Sequence, residues 1–71
     1  MCLLITGGSG FIGTNLIDIL KSKYDTIINI DKNRPNKESH FCYWRECDIL
    51  DYEKLSKIIS DFQPKYIIHA N

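Results

Sequence analysis

At 71 residues, 44% of them hydrophobic, the chain has material for one hydrophobic core, which excludes a second domain. Nine Lys and Arg balance nine Asp and Glu without clustering, so neither nucleic acid nor an anionic membrane surface is expected as a partner. Apolar runs are short and broken by charges, which excludes a membrane span, and the first strand starts too close to Met1 for a secretory signal, so a cytoplasmic location is expected.

Cys2 to Thr6 is apolar without alternation, the pattern of a strand buried on both faces of a parallel sheet, and is expected at its centre. Glycines follow at once, and Gly8-x-Gly10-x-x-Gly13 satisfies the dinucleotide fingerprint. In that pattern the early glycines allow a tight turn and a close approach of backbone to a pyrophosphate, and the last lets helix pack on strand. The unpartnered N–H groups of a starting helix, with its dipole, then attract the phosphates. From Gly10 onward Ile12, Leu16, Ile19 and Leu20 recur at helical spacing and are expected to face the sheet, with Thr14, Asn15, Asp18 and Lys21 opposite. Tyr24-Asp25-Thr26 connects to a second strand, Ile27 to Ile30, ending at Asp31. This closes a β-α-β unit expected to cross over with right-handed sense. The glycines alone would be a weak signal, compatible with a turn that binds nothing. Their place between strand and helix, with an acid following at about the expected interval of ~20 residues, favours a dinucleotide.

Lys32 to Ser39 is polar, contains Pro35 and reads as a loop, short for a crossover between parallel neighbours. A third strand is expected over Phe41 to Glu46, at or near an edge, with Phe41, Tyr43 and Arg45 on one face and Cys42, Trp44 and Glu46 on the other. Asp48-Ile49 turns the chain, and Asp51 is placed to cap a helix in which Leu55, Ile58, Ile59 and Phe62 repeat, ended by Pro64. Tyr66 to His69 is the fourth strand. Cys2, Cys42 and Cys47 form no C-x-x-C pair, and their odd number opposes a disulfide framework, so reduced and largely buried thiols are expected. Gathering Cys42 and Cys47 with His40 around a metal matches none of the usual zinc spacings, so no metal site is expected.

Thr6-Gly7-Gly8-Ser9-Gly10-Phe11-Ile12-Gly13, Asp31, Cys47-Asp48-Ile49-Leu50-Asp51 and Tyr66-Ile67-Ile68-His69-Ala70, in that order, resemble the N-terminal part of the extended short-chain dehydrogenase/reductases. These are NAD-dependent epimerase/dehydratases acting largely on nucleotide sugars, and the resemblance covers nearly the whole chain. It implies an α/β fold, a partial Rossmann (doubly wound) parallel sheet of about four strands with two helices, in strand order 3-2-1-4. It also implies that Gly7, Gly10 and Gly13 are the glycines of the phosphate turn, with the backbone of Phe11 and Ile12 bordering the pyrophosphate. Asp31 matches the acid that binds the adenosine ribose hydroxyls, and Lys32 and Asn33 stand where further ribose or adenine contacts are made. Asp48 and Ile49 resemble the pair that meets the adenine. His69 and Ala70 match the strand end passing the nicotinamide side.

The family's catalytic Tyr-x-x-x-Lys is not present, since Tyr24, Tyr43, Tyr52 and Tyr66 are followed four residues on by Ile28, Cys47, Ser56 and Ala70. The expectation is therefore a fragment that binds the adenosine diphosphate half of NAD without turnover, its longer parent taking a nucleotide-sugar substrate. A carboxylate at Asp31 repels a 2′-phosphate, which favours NAD over NADP, with Arg34 softening the preference. A P-loop is disfavoured because Gly13-Thr14 lacks the intervening lysine. Rival readings are a non-catalytic dinucleotide-sensing module and an inert truncated fragment. The raw edge of the fourth strand would allow self-association. Asp48 and Asp51 also read as turn and cap residues, His69 as structural, and Trp44 as packing.

Overall fold

The computed structural model describes residues 1–70. Its elements are β1 (Cys2–Thr6), α1 (Phe11–Leu20), β2 (Thr26–Asp31), a single 3₁₀ turn (Glu38–His40), β3 (Trp44–Glu46), α2 (Tyr52–Phe62) and β4 (Tyr66–His69). The four strands are parallel in the order β3-β2-β1-β4, as expected. β1 pairs Leu3 with Ile27 on one side and with Tyr66 on the other.

Both faces of the inner strands are covered, which is why β1 and β2 read as unbroken apolar runs. Leu3, Ile5 and Ile27 pack with Ile17 of α1, joined by Leu20 and Tyr24. Leu4, Ile28, Ile30 and Cys47 fill the other face, against Leu55, Ile58 and Phe62 of α2. The sheet is thus a middle layer with one helix on each side. α2 is capped as its sequence predicts, the Asp51 carboxylate accepting the Lys54 N–H at 3.2 Å. Its far end closes at Gln63, in left-handed backbone with φ 45°, before Pro64.

The structure corrects two expectations about these elements. α1 is rotated about its axis: Gly13 and Ile17 are its buried residues, Leu16 and Leu20 are half-buried, and Ile12 and Ile19 stand 61% and 62% exposed. A Cβ on Gly13 would lie 2.4 Å from the Gly8 Cα, so helix and turn touch backbone to backbone there. That contact fixes which face meets the sheet, and it leads through Ile17 at i+4 rather than through Ile19. The third strand is shorter than expected, because residues 38–44 coil through successive i to i+3 bonds. In these His40 N–H donates to Lys37, Phe41 to Glu38, Tyr43 to His40 and Trp44 to Phe41. The late start of β3 leaves residues 32–43 for the connection, enough for a parallel crossover without a full helix.

Candidate functional site

The carboxyl ends of the four strands open onto a cleft of about 560 Å³. Gly7 and Gly10 line it from the turn after β1, Asp31, Lys32 and Asn33 from the end of β2, Asp48 and Ile49 from beyond β3, and Ala70 from beyond β4. A crevice at strand ends where the order reverses, here between β1 and β4, is the general ligand position of open parallel sheets.

The turn is built by distributing its amides. Gly7 N–H donates to the Ile30 carbonyl at 2.9 Å, Gly8 N–H to Asn29 Oδ1 at 2.8 Å, and Ser9 N–H to Asp31 Oδ2 at 3.0 Å. Three consecutive donors are thereby spent on three consecutive residues of β2. Gly10 N–H then closes the turn on the Gly7 carbonyl at 3.3 Å, and the first helical bond runs from Thr14 N–H to Gly10. The N–H groups of Phe11, Ile12 and Gly13 find no acceptor among the described residues, as the start of a helix dictates. Among the described residues no side chain caps this end, whereas Asp51 caps α2.

Gly7 needs its glycine for a left-handed φ of 73°, and Gly13 for the contact with Gly8 already described. Gly10 is different. Among the described residues a Cβ there would meet only the Gly7 carbonyl, at an ordinary 3.6 Å, so the packing of the fold does not itself require a glycine at this cleft-lining position.

Asp31 is half-buried at the mouth of the turn. Its second oxygen, Oδ1, accepts the Asn33 N–H at 2.9 Å. Its carbonyl receives both the Trp44 indole N–H at 2.8 Å and the Cys47 N–H at 3.2 Å, so Trp44, expected only to pack, also carries a hydrogen bond. Asp48 Oδ1 accepts the Leu50 N–H at 2.9 Å, a turn-forming bond, while Ile49 is left 44% exposed as an apolar wall. His69 Nδ1 shares a hydrogen bond with Thr6 Oγ1 at 2.8 Å, and Ala70 N–H donates to the Thr6 carbonyl.

Phe11, Ile12 and Gly13, expected at the site, are not among the residues that line the cleft: Phe11 and Ile12 are exposed and Gly13 is buried under the turn. Ser9, Ile30, Cys47 and Leu50 line it without having been expected. Asn29, fully buried beneath Gly8 and Ser9, also went unanticipated. The signal for it is visible in retrospect, since a lone carboxamide within Ile27-Ile28-Asn29-Ile30 has to find partners when buried. Cys47 is buried, Cys2 half-buried and Cys42 exposed, so the thiols are less uniformly buried than their sequence implies. Burial pushes the Cys47 thiol up from its usual range, which keeps it protonated.

The model of the NAD dependent epimerase/dehydratase family matches residues 3–71. The dTDP-glucose 4,6-dehydratase of Salmonella typhimurium is 35% identical to the chain over 79 aligned residues, which take in 97% of the chain and 22% of that protein. CDP-abequose synthase of Yersinia pseudotuberculosis is 32% identical over 69 residues, covering 97% of the chain and 24% of the synthase. Among solved structures, UDP-glucose 4-epimerase of Thermotoga maritima with UDP-glucose superposes on all of the chain with a TM-score of 0.85 and 31% identity, using 24% of the epimerase. The dTDP-glucose 4,6-dehydratase of Bacillus anthracis in complex with NAD gives a TM-score of 0.86 at 28% identity, using 26% of that chain. The chain thus spans about a quarter or less of the length of these relatives.

Proposed function

Because the chain belongs to the NAD dependent epimerase/dehydratase family, we propose that its cleft holds the adenosine diphosphate half of NAD. The observation that carries this reading is the division of the turn's amides. Residues 7–9 spend theirs on β2, while those of Phe11, Ile12 and Gly13 remain open beside a glycine whose missing side chain leaves room for a ligand. A diphosphate supplies the acceptors and the negative charge that such a helix end favours.

The remaining residues fit the rest of the nucleotide. Each carboxylate oxygen of Asp31 holds one backbone N–H and retains a lone pair for a ribose hydroxyl. Lys32 and Asn33 border the same ribose, and Asp48 and Ile49 offer an acceptor and an apolar wall to the adenine, with Ala70 on the path to the nicotinamide. Arg34 lies with its guanidinium 5.6 Å from the centre of the Phe41 ring and does not line the cleft, which supports NAD rather than NADP. When bound, such a cofactor supplies reversible hydride transfer. This chain's part is to bind and orient it, because no tyrosine here has a lysine four residues on.

Residues 1–71 are accordingly the N-terminal part of an NAD(P)-binding Rossmann domain whose longer parent takes a nucleotide sugar. Cytoplasmic residence belongs to this reading, in keeping with three unpaired thiols. Calorimetric titration of the purified chain tests it. Saturable heat with NAD and weaker binding of NADP are expected, and a folded sample giving no NAD signal would overturn the assignment.

A further inference from the structure

We propose that Asn29, which touches no ligand in the reading above, is the positioning residue of the diphosphate turn. The inference rests on that reading for what the turn binds, but its structural part stands on the contacts alone.

Asn29 is fully buried on the α1 side of β2, one position before the strand's last apolar residue, Ile30. Its carboxamide is used in both senses: Oδ1 accepts the Gly8 N–H at 2.8 Å, and Nδ2 donates to Ser9 Oγ at 3.1 Å. Ser9 is itself buried, and its N–H goes to Asp31. A Cβ on Gly8 would fall 2.5 Å from the Asn29 carboxamide, so the glycine is required by the amide beneath it. Gly8 in turn is the residue on which Gly13 rests. Asn29 therefore determines the height of Gly8, Gly8 determines the approach of α1, and α1 determines where the open N–H groups of Phe11, Ile12 and Gly13 are aimed.

An apolar residue of similar volume at 29 would keep the core filled yet leave the Gly8 donor and the Ser9 hydroxyl without partners. A general loss of stability would weaken every ligand alike, whereas a misplaced turn weakens only those carrying a diphosphate. The test compares ADP with adenosine on wild type, Asn29→Leu and Ser9→Ala, and follows hydrogen exchange of the Gly8 amide in the same samples. For Asn29→Leu the affinity for ADP should fall by about tenfold, with adenosine held within about twofold, and Gly8 exchange should accelerate while Leu3 to Ile5 stay protected. Ser9→Ala, which removes one bond of the pair, should show the same selectivity to a smaller degree and decides the matter if Asn29→Leu does not fold. Equal loss of ADP and adenosine, or no loss of either, overturns the proposal. If wild type binds no ADP, the functional reading fails, and unchanged Gly8 exchange in the variants would then separately refute the positioning role.

Discussion

Asp31 Oδ2 accepts the backbone N–H of Ser9 at 3.0 Å, so the carboxylate at the end of β2 is also a strut of the turn after β1. Its other oxygen holds the Asn33 N–H, which ties the start of the next loop to the same side chain. One residue thus ties together two walls of the cleft.

Asp31→Asn keeps the volume and one acceptor while removing the charge. NAD affinity should drop by about tenfold and NADP affinity should change little or rise, since a hydrogen bond to a charged group is worth roughly 1.5–3 kcal/mol and the repulsion of a 2′-phosphate disappears. Parallel titrations with the two cofactors read this out. Equal losses would mean that the carboxylate serves the turn alone.

The glycines at 10 and 13 should separate binding from stability. Gly13→Ala drives a methyl into the backbone of Gly7 and Gly8, an overpacking expected to cost on the order of 1–3 kcal/mol in a thermal or denaturant melt. Gly10→Ala meets nothing closer than 3.6 Å and should cost below about 1 kcal/mol as a helix-cap change, yet weaken NAD by filling the ligand's space. A Gly10→Ala protein that binds NAD as tightly as wild type would contradict the placement of the diphosphate.

Acid sensitivity should reside in α1. The Asp18 carboxylate is bonded by Lys37 and by His40 Nε2, with Lys21 3.6 Å away, and these bonds, that of Lys37 foremost, lower it from 3.8 to about 2. A depressed carboxyl contributes its stabilisation in full above its unfolded value and loses it as pH falls through the folded one. Melting temperature should therefore decline between pH 3.8 and about 2, and Asp18→Asn should flatten that decline. Asp25, lowered by the N-terminal ammonium, acts in the same acid range and cancels when the two melting curves are subtracted. An unchanged pH profile in Asp18→Asn would remove this cluster from the account.

The rotation of α1 predicts an asymmetry between neighbouring isoleucines. Ile17→Ala empties a fully buried position and should cost about 2–4 kcal/mol, a large share of what a chain this small possesses. Ile19→Ala, at an exposed position, should stay within about 0.5 kcal/mol. Denaturant midpoints of the two variants distinguish the observed face from the one hydrophobic spacing suggests.

That face also shows where the sequence stops being informative. β1, the glycine turn, β2 and Asp31 are legible because strand burial, turn chemistry and helix entry all fall in one short stretch and agree. The phase of α1 is not, because Ile12, Leu16, Ile19 and Leu20 outweigh a residue with no side chain, although the contact at Gly13 is what orients the helix. Phe41 to Tyr43 read as strand because they are aromatic or apolar. They coil instead, since His40 is drawn into the interior by a bond to Asp18, a partner on α1 that no local pattern announces. Of the residues that line the cleft, those marked by charge or by glycine are recognisable in advance, while Ser9 in the cleft and Asn29 buried beneath it are bonded to the turn and to each other in a way that shows only when the chain is folded.

Asn29, Ile30 and Asp31 take the three donors of the turn through side chain, carbonyl and side chain in succession. Successive side chains of a strand point to opposite faces, so if β2 slid by one residue against β1 both polar acceptors would turn away together and an isoleucine would stand under Gly8. The isoleucines of this strand could trade places in such a slide at small cost, but the carboxamide and the carboxylate could not. The cleft end of β2 therefore also proof-reads the alignment of the whole sheet, and a chain assembled out of step would lose the supports of its glycine turn.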